Sequence, residues 1–233
     1  MSGTPAREVA EMFDRISPTY DLLNHLLSLG VDRRWRRTAI KHLAAQTGET
    51  ILDCGAGTGD MSLTAHEVNP HIRTVLVDPA LAMLTRADAK AGCIKPCQFL
   101  LMRGVAERLP FADASFDGFM VAFGIRNFEN LPGGMSELCR TLKPGGRGVI
   151  LEFTPDRSRW IDRIFRGYMQ RVLIPIGARI SRNAVAYAYL TNTVAGFLSA
   201  EELAHVFAGV GLTCRKQIRL SAGIATLFVV EKP

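Results

Sequence analysis

Apolar residues along this chain repeat at two spacings. Short apolar runs at 49–53, 74–77, 98–102, 118–122 and 148–153 read as buried strands, and the stretches between them carry apolar residues three and four apart, the spacing of a helix face. Met61, Leu63 and Ala65 open one such helix and Leu81, Met83 and Leu84 a second. Residues 131–142 form a third, which Lys143-Pro144-Gly145-Gly146 should stop before the fifth strand. Strand and helix in alternation predict a doubly wound, mostly parallel α/β sheet with ligand at the strand C-termini. Ahead of the first strand, Val9, Met12, Phe13 and Ile16 share a helical face, Ser17-Pro18 predicts a break, and Leu22, Leu23, Leu26 and Leu27 resume the pattern. Trp35, Ile40 and Leu43 belong to a further amphipathic helix. Beyond the fifth strand lie apolar clusters at 160–176, a helix carrying Leu203, Val206 and Phe207, and an antiparallel pair at 213–220 and 225–230. At 233 residues the chain fits one elaborated domain. Its parts are an N-terminal helical flap (1–47), a core (48–153), a helical insertion (154–197) and a C-terminal helix with hairpin (198–233).

The first strand runs into Asp53-Cys54-Gly55-Ala56-Gly57-Thr58-Gly59-Asp60. Alternating glycines let the backbone take positive φ and let a ligand approach atoms that a Cβ would cover. A dinucleotide loop of the form Gly-x-Gly-x-x-Gly places its last glycine on Asp60 or Ser62, and neither is glycine. A phosphate loop needs Gly-Lys-Ser or Gly-Lys-Thr, which the chain lacks. What remains is Asp-x-Gly-x-Gly-x-Gly, which resembles the first motif of Rossmann-like methyltransferases that bind S-adenosylmethionine; a glycine-rich turn without ligand is the plain alternative. That resemblance makes Asp53, Gly55, Gly57 and Gly59 cofactor-loop residues, with one acidic partner for the methionyl ammonium. Asp78 ends the second strand, where a carboxylate can accept hydrogen bonds from two ribose hydroxyls, with an ordinary surface acid as the alternative; Pro79 follows it.

Composition narrows the setting. An apolar fraction of 48% argues for a folded chain. Cysteines 54, 93, 97, 139 and 214 form no Cys-x-x-Cys pair and suit a reducing cytoplasm. The chain has neither a signal-like N-terminus nor an apolar run of ~18 residues, so a cytoplasmic protein, at most peripheral to the cytoplasmic membrane, is expected. Net charge is +6 and the pI about 9.3. Arg33, Arg34, Arg36, Arg37 and Lys41 against Asp32 leave +4 in one stretch, and seven arginines from Arg157 to Arg182 against Asp156 and Asp162 leave +5 in another. Both are interleaved with large apolar residues, a membrane-surface or lid pattern rather than a nucleic-acid groove, with an ordinary solvated face as the alternative. Histidines 25, 42, 66, 71 and 205 show no metal-ligand spacing, and no metal is expected.

A longer series of motifs occurs in one order: Phe13-Asp14, Tyr20-Asp21 and Asn24, Gly30 with Trp35-Arg36, the glycine loop, Leu109-Pro110-Phe111, Gly124-Ile125-Arg126-Asn127, Leu142-Lys143-Pro144-Gly145-Gly146, Leu151-Glu152-Phe153 and Tyr187-Ala188-Tyr189-Leu190. From about Val9 to the C-terminus this order resembles the ubiquinone/menaquinone biosynthesis C-methyltransferase family. The resemblance implies a Rossmann-like methyltransferase fold and S-adenosylmethionine-dependent methylation of a ring carbon on a polyprenylated benzoquinol or naphthoquinol. It assigns cofactor contacts to Thr58, Asp78, Val105, Ala106 and Ala122. Val105 stands where the family usually has a polar residue, often Asp or Asn, and Ala122 where it has Ser.

The sulfonium is already electrophilic, so the protein must align the reactants and enrich the ring in electrons, which loss of a phenolic proton does. Arg126 is the candidate to stabilise the phenolate or to orient a water that takes its proton; an ion pair with Glu129 or Glu152 is its structural alternative. Tyr20 and Asn127 are candidates to position the acceptor, or else core and capping residues. Trp160, Ile161, Ile164, Phe165, Tyr168 and Met169, with 172–176, could lid the isoprenoid tail or pack on the sheet edge. Two other functions stay open: methylation of another small aromatic or lipid acceptor, and a non-catalytic quinone- or lipid-binding subunit. Ring type, tail length and homodimer formation are not decided by the sequence.

Overall fold

In a computed structural model, residues 4–28, 30–92, 94, 98–154, 167, 171, 189 and 192–233 are described. Seven strands form one sheet: β1 (Thr50–Cys54), β2 (Arg73–Asp78), β3 (Phe99–Arg103), β4 (Phe116–Ala122), β5 (Leu142–Phe153), β6 (Thr213–Leu220) and β7 (Ala225–Glu231). Their order is β3-β2-β1-β4-β5-β7-β6. Strands β1 to β5 are parallel, and β7 runs antiparallel to both β5 and β6. From β1 the chain steps out to β2 and β3 and returns to β4 on the other side. The loops after β1 and β4 therefore meet at the strand C-termini, where an open α/β sheet leaves a crevice.

Helices cover both faces: α1 (Ala6–Leu27), α2 (Val31–Leu43), α3 (Asp60–Val68), α4 (Leu81–Ala91), α5 (Leu131–Thr141) and α6 (Ala200–Gly209). Alternate strand residues serve opposite cores. Leu52, Phe119, Val121 and Ile150 pack with Met135 and Leu138 of α5 and Phe207 of α6, while Ile51, Met120, Val149 and Leu151 pack with Trp35, Ile40 and Leu43 of α2. Burial on both faces is why these strands read as unbroken apolar runs. Each such side chain contributes ~1.5–3 kcal/mol.

Two predicted boundaries differ. Helix α1 runs unbroken through Ser17-Pro18. An interior proline costs ~3 kcal/mol, but both sides of it are anchored: Ala10, Ile16 and Tyr20 pack with Ala80 and Met83, and Asp14 accepts the Ala82 N–H at 2.8 Å. Strand β5 begins at Leu142, so Lys143-Pro144-Gly145-Gly146 ends the helix yet lies within the strand as a register shift. The C-terminal end of the chain makes this possible. Gly145 N–H donates to Lys232 O, Lys232 N–H donates to Gly146 O, and Lys232 Nζ donates to the Cys139 and Leu142 carbonyls at 2.8 Å each. The apolar residues of the expected lid, from Trp160 to Ile176, lie outside the described residues. Among those described, no helix is long and apolar enough to cross a membrane.

Candidate active site

Gly55, Gly57 and Gly59 have φ of 66°, 55° and 79°. At Gly57 no atom lies within 4 Å of the place a Cβ would occupy, so backbone conformation is the constraint there. At Gly59 a Cβ would stand 3.0 Å from Ala87 Cβ and 3.2 Å from Leu76 Cδ2, so the loop closes tightly on α4 and β2. Asp78 braces the loop: its Oδ2 accepts the Gly57 N–H and its Oδ1 the Ala80 N–H, each at 2.8 Å. Burial raises the Asp78 carboxyl to about 6 against those two bonds. Asp53 is also buried, and its Oδ2 accepts from Ser62 N at 3.2 Å and Ser62 Oγ at 2.7 Å. Desolvation raises it to about 7, with the Ser62 bonds opposing.

Between this loop, the β4 end and α1 lies a cleft whose empty space, open solvent included, is about 680 Å³. Tyr20, Gly55, Gly57, Asp78, Pro79, Val105, Ala106, Ala122 and Asn127 all line it. A smaller cavity of about 330 Å³ shares Tyr20, Gly55, Gly57 and Ala122 and adds Asp53 and Thr58. The Thr58 hydroxyl donates to Asp21 on α1, and Lys90 Nζ reaches both, at 3.0 Å each. Gly59 lines neither space. Phe13, Met83 and Phe128 add apolar wall to the larger cleft.

Arg126 takes its structural partner. Its Nη1 donates to Glu152 Oε1 at 2.7 Å, its backbone N–H reaches Glu152 Oε2 at 3.4 Å, and its guanidinium carbon stands 5.7 Å from the centre of the Phe153 ring. The two side chains are 4% and 0% exposed. Burial pushes Glu152 up and Arg126 opposes it. Arg126 does not line the cleft, and its Nε has no hydrogen-bond partner among the described residues. Its neighbour Asn127 does line the cleft, and Tyr189 donates to Asn127 Oδ1 at 3.3 Å.

Sequence reasoning missed three features. Phe123 has φ of 56°, unusual for a bulky residue, and turns the chain out of β4 toward Asn127. Its ring lies 4.6 Å from Phe153 and 6.1 Å from Trp35, and its N–H donates to Leu151 O at 2.7 Å. The Tyr189–Asn127 bond joins residues far apart in sequence, although both sit in quoted motifs. Arg36, named from sequence only within a motif and a basic stretch and given no site role, lines the smaller cavity. Among the described residues no three of His, Cys, Asp or Glu gather as a metal site.

Comparison with known proteins decides the family. The model of the ubiE/COQ5 methyltransferase family matches residues 1–232. The chain belongs to this family. A demethylmenaquinone methyltransferase of Deinococcus radiodurans is 44% identical over 224 residues, 96% of this chain and 92% of that protein. A ubiquinone/menaquinone biosynthesis C-methyltransferase, UbiE, of Geotalea uraniireducens is 42% identical over 97% of this chain and 96% of its own length. Among solved structures, the [4+2]-cyclase SpnF superposes with a TM-score of 0.73 at 16% identity, covering 100% of this chain and 99% of its own. A protein described as a cyclase shares the fold, so function must be argued from family and site rather than fold.

Proposed function

We propose that this chain is an S-adenosylmethionine-dependent C-methyltransferase whose acceptor is a polyprenylated quinol of the demethylmenaquinol or related benzoquinol type. The observation that carries this reading is one cleft in which the bare glycine loop and Asp78 share walls with Tyr20 and Asn127, in a family member matched over nearly its whole length. The cofactor fits the residues present: Gly57 leaves open space, Asp78 stands at that loop, and polar side chains line the adjoining cavity. When bound, it supplies an electrophilic methyl group on a sulfonium.

The protein's own part is binding and alignment. Asp78 accepts the ribose hydroxyls and Asp53 the methionyl ammonium. Thr58 and the glycine amides line the methionyl end. Ala106 and Val105 offer backbone and an apolar wall to adenine, and Ala122 leaves space at the β4 end. Tyr20 and Asn127 orient the quinol. Arg126, held by Glu152 just behind the cleft wall beside Asn127, is assigned to stabilise the phenolate oxygen, or to orient the water that takes its proton, through its positive charge. A fixed charge of this kind gains strength where water is excluded.

A prenylated acceptor resides in a bilayer, and Arg33, Arg34, Arg37 and Lys41 are exposed along α2. We assign this face to peripheral contact with an anionic cytoplasmic membrane. Co-sedimentation with anionic vesicles no greater than that of an unrelated basic protein would remove this assignment. For the enzyme itself, titration with S-adenosylmethionine should give saturable binding; its absence would leave the non-catalytic lipid-binding alternative.

A further inference from the structure

The smaller cavity carries a cation that no role above uses. Arg36 is 7% exposed, and both of its ionic contacts, to Asp32 and at 3.3 Å to Asp60 Oδ2, run from Nη1. Its Nε has no partner among the described residues. The other nearby cation is engaged: Lys90 Nζ contacts Asp21, Thr58 and Asp60 together, which uses all three ammonium donors. Arg36 thus lines a polar cavity together with Asp53, Thr58 and Asp60 and keeps a buried donor that those contacts do not use. An ion cluster that merely fastened α2 to α3 would not require a cavity beside it or a buried donor left open, which is a costly arrangement.

A cation and a carboxylate facing one small space suit a zwitterion. We infer that Arg36 binds the carboxylate of the cofactor's amino-acid end, opposite the ammonium held by Asp53. The cavity adjoins the larger cleft at Gly55 and Gly57 and is not lined by Asp78, so it is open to the amino-acid end of a cofactor whose ribose is at Asp78. A guanidinium suits this task because its planar fork presents several donors to a carboxylate. The inference rests on the cofactor assignment above, and its test separates the two.

The test compares binding of S-adenosylmethionine with binding of its decarboxylated analogue, which keeps sulfonium, amine and nucleoside and lacks only the carboxylate. Wild-type protein should prefer the intact cofactor by roughly 10- to 100-fold, the range of one charge-assisted hydrogen bond. In the double variant Asp32→Asn/Arg36→Gln, which keeps the local charge balanced, the preference should shrink to about threefold or less while affinity for the analogue stays within about threefold. Arg36→Lys is the companion variant if the double variant does not fold; it keeps a cation beside Asp32 and should lose roughly fivefold or more of the preference. Equal binding of both ligands by wild type, or an unchanged preference in the variants, overturns the inference and leaves the cofactor assignment standing. Binding of neither ligand by wild type overturns both.

Discussion

Replacing Asp53 by Asn tests the electrostatics of the site through stability alone. The folded protein holds the Asp53 proton up to about pH 7, whereas an unperturbed carboxyl releases it near 3.8. The stability tied to this proton is therefore full below 3.8 and is lost as pH rises to about 7. Above that, a charged carboxylate sits buried beside Asp78, with Arg36 as its nearest compensation. At a little over 1 kcal/mol per pH unit, the loss is roughly 1–2 kcal/mol at about pH 5 and roughly 4 kcal/mol at about pH 8. Asn cannot ionise and keeps an oxygen for the two Ser62 bonds. D53N should therefore gain about 2–3 kcal/mol on wild type between those two pH values, whatever fixed cost the amide brings. For a chain of this length that is roughly 5 °C in melting temperature, measured by scanning calorimetry of the ligand-free proteins. A difference between the two proteins that stays constant across the pH range would refute the buried, late-titrating carboxyl. Above about pH 7, where Asp53 is charged, the same variant should bind S-adenosylmethionine at least about tenfold more weakly than wild type, because the ammonium loses its charged partner.

Three further outcomes follow from neighbouring residues. Asp78→Asn should raise the cofactor Kd by about 10- to 100-fold, and in wild type the affinity should fall as the pH drops below about 6, where Asp78 takes up its proton; pH-independent titrations would contradict this. Arg126→Lys should leave cofactor Kd nearly unchanged and slow methyl transfer by about 100-fold or more, whereas Arg126→Ala also strands Glu152 and should cost about 3–5 kcal/mol of stability. An Arg126→Lys enzyme as fast as wild type would end the catalytic assignment. Tyr189→Phe should raise the acceptor KM by about three- to tenfold without moving cofactor Kd, because Asn127 loses its orienting bond; an effect on the cofactor instead would place Tyr189 elsewhere.

The sheet was legible because its strands are short apolar runs with both faces buried, and the glycine loop because positive φ at Gly55, Gly57 and Gly59 leaves a compositional trace. The α1 helix misled because a local rule at Ser17-Pro18 is outweighed by packing on α4, far away in sequence. The same holds for Gly145 and Gly146, whose backbone partners belong to Lys232. Within the site, residues at strand ends could be placed from sequence, since strand order alone brings Asp78, Ala122 and the glycine loop together. Arg126 could not. Choosing between Glu129 and Glu152 required knowing that Glu152 lies on the strand beside β4, while Glu129 accepts from Ala6 instead. Phe123 gives no signal of its left-handed backbone, and the spare donor of Arg36 emerges only once Asp60 and Lys90 are in place around it.

Methyl transfer to a quinol ring carbon is open to one direct assay. Labelled S-adenosylmethionine is offered with reduced demethylmenaquinol and a prenylated benzoquinol side by side, and the products are identified by mass and by position of the label. The wild-type enzyme should place label on a ring carbon of at least one acceptor, and Asp78→Asn and Arg126→Lys should lose it. Saturable cofactor binding with no label on either ring would contradict that transfer.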